Sequence, residues 1–235
     1  MPFLVVFVYI WLSLISLMIP YLLQDLAYFS QLAPVIVALF FSKSLSRPLT
    51  VFAYYLVISS FSTLLNAYLG LHGMHNLWAS NLFMPIQFGM MAYFFSFYVG
   101  SSVRRVFIWS IPSFLLLWSV NFFLIESIFK FSTYAKPVEY ILLTFIAAYA
   151  LFANYRRDLA PPTSEPLFWI AAGSTLYFST AAVLFSLSTV LLRTSPETLR
   201  IAFSVQALIS TLVNFSFAAG FLCLRRQPKY SGQPS

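Results

Sequence analysis

The sequence predicts an all-α protein, a polytopic bundle of eight transmembrane helices, or of seven if the run Leu26–Ser42 does not cross. Three observations carry that expectation. Apolar residues fill 60% of the 235 positions and charged residues only 8%, whereas a soluble domain spends about a quarter of its residues on charge to cover its surface. The apolar residues fall into runs close to the ~20 residues that carry a helix across about 30 Å of hydrocarbon. The 13 Lys and Arg stand in ones and twos at the ends of those runs. That is a topogenic arrangement rather than a phosphate-binding patch, and it argues against nucleic acid as a partner.

Taken in order, the first run is Phe3–Leu23. No Lys or Arg precedes it and no small-x-small cleavage site follows, so it reads as a retained helix and not a signal peptide. Leu26–Ser42 is short and carries Gln31 and Pro34, which is why its crossing is in question. Leu49–Leu71, Leu82–Val99, Val106–Ile125, Val138–Tyr155, Leu167–Leu192 and Leu199–Leu224 follow. With eight spans and a cytoplasmic N-terminus, one side collects Lys43, Arg47, Arg104, Arg105, Arg156, Arg157, Arg225, Arg226 and Lys229. The other side holds only Lys130, Lys136, Arg193 and Arg200. The positive-inside rule therefore puts the C-terminus in the cytoplasm.

No soluble domain fits between the runs. The connector Arg156–Pro166 (RRDLAPPTSEP) has adjacent prolines and two acids and reads as extended. Residues 1–226 form one transmembrane domain, and 227–235 a polar, disordered cytoplasmic tail. The basic start of that tail suits anionic lipid heads, so the bilayer itself is the first expected partner. Cys223 is the only cysteine, which excludes an intramolecular disulfide; it reads as a small buried hydrophobe, with a lipidated or reactive thiol as the alternative. PLTVFAYYLVISSFST, opening the third run, echoes PLFWIAAGSTLYFST, opening the seventh. A parallel four-plus-four repeat would look like this, although coincidence is the better explanation in a chain so poor in residue types.

Polar side chains in the runs are few, and their depth is informative, because an unpaired polar group in hydrocarbon costs up to several kcal/mol. On the expected topology Asn66, Gln87, Asn121, Glu126, Glu139 and Gln206 all fall in the outer half, capped by His72, His75 and Asn76. Asn214 falls near the middle and Asn154 near the inner edge. Tyr177, between the small clusters Ala171–Thr175 and Ser179–Ala182, can point its hydroxyl the same way. Polar groups converging from several helices on one side suit a cavity open to the outside. The expected ligand-binding set is Asn66, His75, Asn76, Gln87, Asn121, Glu139, Tyr177 and Gln206.

Blander roles compete for each. Asn and Gln in spans commonly hold helices together. Glu139, three residues after Lys136 at a helix start, complements the dipole and the lysine. The small residues of the seventh run allow close helix packing. His72 and His75 are spaced to share a metal, yet no acid or cysteine stands near them, so interfacial anchoring beside Trp78 is the simpler reading and no metal is expected.

Catalytic signatures are mostly missing: no His-Glu-x-x-His, Gly-x-Ser-x-Gly, paired acids at Asp-x-x-Asp spacing or glycine-rich phosphate loop occurs. No histidine lies within a run to ligate haem and no lysine within the last run to anchor a Schiff base. No cofactor and no catalytic residue are expected, although Glu139 with His75 leaves acid–base work on a lipid formally open.

HNLW followed by PIQF, and EPLFWIAAGSTLYFS, resemble short stretches of uncharacterised small polytopic bacterial inner-membrane proteins, and more loosely the membrane-embedded sensor regions that precede histidine kinases. In those proteins the position of Gln87 is often acidic; Gln here removes a titratable charge. The resemblance implies a bacterial inner membrane and a sensing role. The resulting expectation is a sensor-like or accessory module that binds a small or lipidic ligand from outside and signals to a separate partner chain. A small transporter, and then a lipid-modifying enzyme, are the alternatives.

Overall fold

A computed structural model describes residues 20, 22–155, 162–194 and 196–226. Among these residues the chain is helical and contains no strand. The run Phe3–Leu23 and the tail 227–235 lie outside them, apart from the end of the former. Seven helices follow one another. They are α1, Leu22–Phe40; α2, Arg47–Leu71; α3, Leu77–Ser96; α4, Ser101–Val120; α5, Ala135–Tyr155; α6, Pro166–Thr194; and α7, Pro196–Leu222.

All but α3 are long and apolar enough to cross a membrane, and large apolar side chains such as Phe40, Trp109, Leu116, Phe123 and Phe145 stand exposed on the bundle. No soluble protein presents so much exposed hydrocarbon. The chain is a multi-pass helical membrane protein.

The doubtful second run is a full-length helix. Regular structure is interrupted only at Gln31, which leaves Pro34 in the first turn of a new segment, where its missing N–H breaks no hydrogen bond. At the other end of α2 the chain stops at Gly73, whose φ of 66° is the left-handed conformation that glycine adopts without strain. Met74 N–H then donates to Leu69 O at 2.9 Å, closing the helix end.

The one described helix without a membrane-length apolar window is the most enclosed. α3 carries Asn81, Gln87 and Ser96, all buried, and packs against α2, α4 and α5. Pro85 lacks the N–H that would engage Asn81 O, and Trp118 Nε1 of α4 donates to that carbonyl instead, at 2.9 Å. Asn81 Nδ2 donates to Ile128 O and Lys130 O in the α4–α5 loop, at 2.8 and 2.9 Å. These bonds let α3 begin at Leu77, five residues before its apolar run.

Hydrogen bonds also fix the helix directions. Lys136 Nζ donates to Ser80 Oγ at one end of the bundle, and Asn154 Nδ2 to Tyr98 O at the other, so α3 and α5 run parallel. Arg47 Nη2 reaches Tyr93 Oη, setting α2 antiparallel to α3. α6 and α7 run antiparallel with their backbones close. A Cβ on Gly220 would meet Pro166 O at 3.1 Å, one on Gly173 would meet Phe217 at 3.1 Å, and Ser216 Oγ donates to Trp169 O at 2.8 Å. Small residues allow that approach, the role the sequence suggested for this stretch. By contrast α4 with its terminal turn is 11% buried over its most apolar window, against 44% for α6 and α7, so it faces lipid.

Phenylalanine fills the end of the bundle shared by Lys43, Arg104 and Arg225. Phe52 of α2 sits 5.0 Å from Phe94, 5.0 Å from Phe217 and 6.0 Å from Phe221 between ring centroids. Phe88, Phe95, Leu56 and Met91 are buried around them. This half of the bundle is dry and closed.

A candidate ligand cavity

Toward the opposite end the helices turn polar faces to one another. On α2, Tyr55, Ser59, Ser62, Thr63 and Asn66 recur at helical spacing and form a stripe; on α7, Gln206, Ser210 and Asn214 do the same. Gln24 and Gln31 lie two turns apart on α1. These stripes enclose a cavity of about 410 Å³, to which α3 adds Gln87 and Ser80, α5 adds Lys136 and Tyr140, and α6 adds Tyr177. That volume falls in the lower part of the ~300–1,000 Å³ range of small-molecule sites. Leu56, Phe83, Phe178, Phe203, Val213 and Phe217 supply apolar wall between the polar groups, and Phe217 belongs equally to the dry core beneath.

Several lining groups are paired across helices. Gln31 Nε2 donates to Ser59 Oγ at 2.8 Å, Gln87 Nε2 to Tyr55 Oη at 3.2 Å, and Asn214 Nδ2 to Ser30 Oγ at 3.0 Å. Tyr140 and Tyr177 face each other edge-on, with ring centroids 6.3 Å apart. Asn66 is satisfied within its own helix, donating to Ser62 O at 2.8 Å. Other groups are left over: Gln206 Nε2 is buried and has no acceptor among the described residues.

One face of α5 holds the charge. Lys136, Glu139 and Tyr140 are spaced i, i+3, i+4. The Lys136 ammonium lies 2.6 Å from Ser80 Oγ and 4.9 Å from the centroid of the Phe185 ring. Glu139 is fully buried, in the electrostatic field of Lys136 and close to Tyr140 and Tyr177, yet neither of its oxygens accepts a hydrogen bond among the described residues. It stands behind the cavity wall rather than in it.

The remaining expected residues do other work. His75 is exposed in the α2–α3 turn, and Asn76 caps the start of α3 while Nδ2 donates to Asn66 O at 3.2 Å. Asn121 begins a π turn, Asn121–Ile125, and donates to Glu126 Oε2 at 2.8 Å. Glu126 collects Ser132 Oγ at 3.1 Å, Thr133 N–H at 2.8 Å and the Thr133 hydroxyl as well. Burial pushes the Glu126 carboxyl up, but those donors outweigh it and hold it below the usual value. So Asn66, Gln87, Tyr177 and Gln206 share one cavity, while His75, Asn76 and Asn121 are not among its lining residues. Glu139, having no hydrogen-bond partner, makes no pair with His75. No cluster of three potential metal ligands occurs among the described residues.

No family model, no curated protein and no solved structure matches the chain.

Sequence reasoning passed over most of the lining. Lys136 reads in sequence as a topogenic charge and Gln31 as a disturbance of a doubtful run, and Gln24 falls between two runs. The signals were present. A lysine in the first turn of a helix opposes the dipole and invites a reason, and the α2 and α7 hydroxyls and amides already repeat at the spacing of one helical face.

Proposed function

We propose that the chain is a receptor-like or accessory module of the bacterial inner membrane, which takes a small or lipidic ligand into the cavity from the outer side and signals to a separate partner chain. The C-terminus then lies in the cytoplasm, with the arginine-rich loops. One observation carries this reading: polar side chains from six helices meet in a cavity that a block of phenylalanines closes toward the arginine-rich end. A one-sided polar cavity suits capture better than passage, since a transport path has to reach both faces of the membrane. Transport through this bundle would require the Phe52, Phe94, Phe217 and Phe221 cluster to open.

The geometry also suggests how occupancy is passed on. α1 is only 17% buried over its most apolar window, and it is tied to the bundle at the cavity by Gln31 to Ser59 and Asn214 to Ser30. A ligand that competes for these amides changes the seating of α1, a shift that a partner in the bilayer can read. The test is a thermal-stability screen of the full-length protein in lipid nanodiscs against metabolites and lipids. Stabilising compounds are expected to lose their effect in Gln87→Ala and Asn66→Leu. Undiminished stabilisation in both variants would place the ligand elsewhere.

A further inference from the structure

We propose that the cavity accepts an amphipathic oxyanion, a carboxylate or phosphate head group carried on an apolar chain. The proposal rests on the cavity being a ligand site and adds the chemistry of the ligand.

Hydrogen-bond donors are in surplus there. The Lys136 ammonium carries three N–H groups and donates to Ser80 Oγ. Gln206 Nε2, in the lining, is buried with no acceptor among the described residues. Arg200 lies one turn before Phe203 on the same face of α7, and its Nε is likewise buried with no acceptor among them. The rings of Phe185 and Phe203 lie 6.0 Å apart, with Lys136 Nζ over Phe185, and Arg200 stands one turn before Phe203 on α7. Glu139, three residues along α5 from Lys136, accepts no hydrogen bond from it among the described residues. Donors left over beside a cation call for a ligand that brings acceptors and a negative charge. Phe83, Phe178, Phe203 and Val213 supply apolar surface for a chain attached to such a head.

The basic Lys136 and the acidic Glu139 on one face of α5 make the assignment testable by sign. Full-length protein in phosphatidylcholine nanodiscs is titrated with decanoate, decanol and decyltrimethylammonium, followed by thermal stability. Decanoate is expected to bind tightest. Lys136→Gln should weaken decanoate about tenfold or more, the loss of one charge-assisted hydrogen bond, while leaving decanol unchanged. Glu139→Gln should leave decanoate binding no weaker, because the anion's partner is Lys136. Preference for decyltrimethylammonium, weakened by Glu139→Gln, would overturn the proposal in favour of a cation site. Equal binding of all three ligands would overturn it too, while leaving the cavity a ligand site. If none of the three stabilises the protein the oxyanion assignment fails; the broader reading falls only if the full screen is also silent. Should Lys136→Gln fail to fold, the three-ligand ranking on the unaltered protein still decides. Adding phosphatidylglycerol to the nanodiscs separates the two sources: suppression of the decanoate response marks a bilayer head group as the occupant, and persistence marks a free acid.

Discussion

The two halves of the bundle are built from the same helices and differ in what their facing side chains ask of one another. Around Phe52 the contacts are ring against ring. Around Gln87 and Tyr55 the facing groups are amides, hydroxyls and an ammonium, which in a lipid-bounded protein persist only if they pair with each other or with something that enters. Some do pair. Gln206 Nε2 and both Glu139 oxygens do not, among the described residues. One half thus rests on apolar packing, and the other leaves amide and carboxyl groups unpaired in a way that points to a ligand.

Stability should follow that division. Phe52→Ala removes a ring in contact with Phe94, Phe217 and Phe221 and leaves a cavity between α2, α3 and α7. The expected loss is about 3 kcal/mol, at the low end of Phe→Ala costs, since the membrane-unfolded chain keeps the ring in hydrocarbon and only packing is forfeited. Reversible unfolding in detergent checks it. A cost below that of Gln87→Leu would show that the polar half, not the dry one, holds the bundle together.

A smaller effect is expected at the α6–α7 crossing that spans both halves. Gly220→Val would press its side chain on Pro166 O, which lies 3.1 Å from the Cβ position and belongs to backbone that cannot rotate away. About 1–3 kcal/mol is the usual cost of overpacking, and it should appear as a lowered midpoint together with weaker ligand response, because Phe217 and Asn214 on the same helix line the cavity.

How much of this was legible in the sequence differs between the halves. Helix content and the apolar runs follow from composition and length, and the second run proved long enough because Pro34 sits where a proline costs least. The polar convergence was legible as depth along each helix, which is why Asn66, Gln87, Tyr177 and Gln206 were gathered together. Rotation about each helix was not. Asn121 shares the depth of the cavity, but the π turn takes it to Glu126. Lys136 was hidden by the opposite error, a charge near a helix end being assigned to topology when its side chain lies along Ser80 and Phe185.

The α4–α5 loop at the cavity end offers a third comparison, since it satisfies its acid completely where Glu139 is left bare. Glu126→Gln should cost about 1 kcal/mol at neutral pH, reduced from the value of a buried charged hydrogen bond because the group is partly exposed. The carboxyl is held below the usual value in the folded protein, so its contribution is complete above that value and is lost as pH falls through the usual carboxylate range and then through the lowered one. Melting curves of the two proteins should therefore converge on acidification, and a gap that widened would reverse the sign of the shift.

The smallest effect is expected where the polar half is most finished. Ser59→Ala deletes the acceptor for Gln31 Nε2, a membrane hydrogen bond worth about 0.6 kcal/mol on average, so stability should barely move. The informative readout is ligand response. If α1 is seated by this bond until a ligand competes for Gln31, removing the bond in advance lowers the energy the ligand must supply, and apparent affinity rises while the conformational response, read from a label on α1, shrinks. Unchanged affinity with an unchanged response would mean that α1 is held by its apolar face alone, and that the polar stripe on α2 serves the ligand without serving the signal.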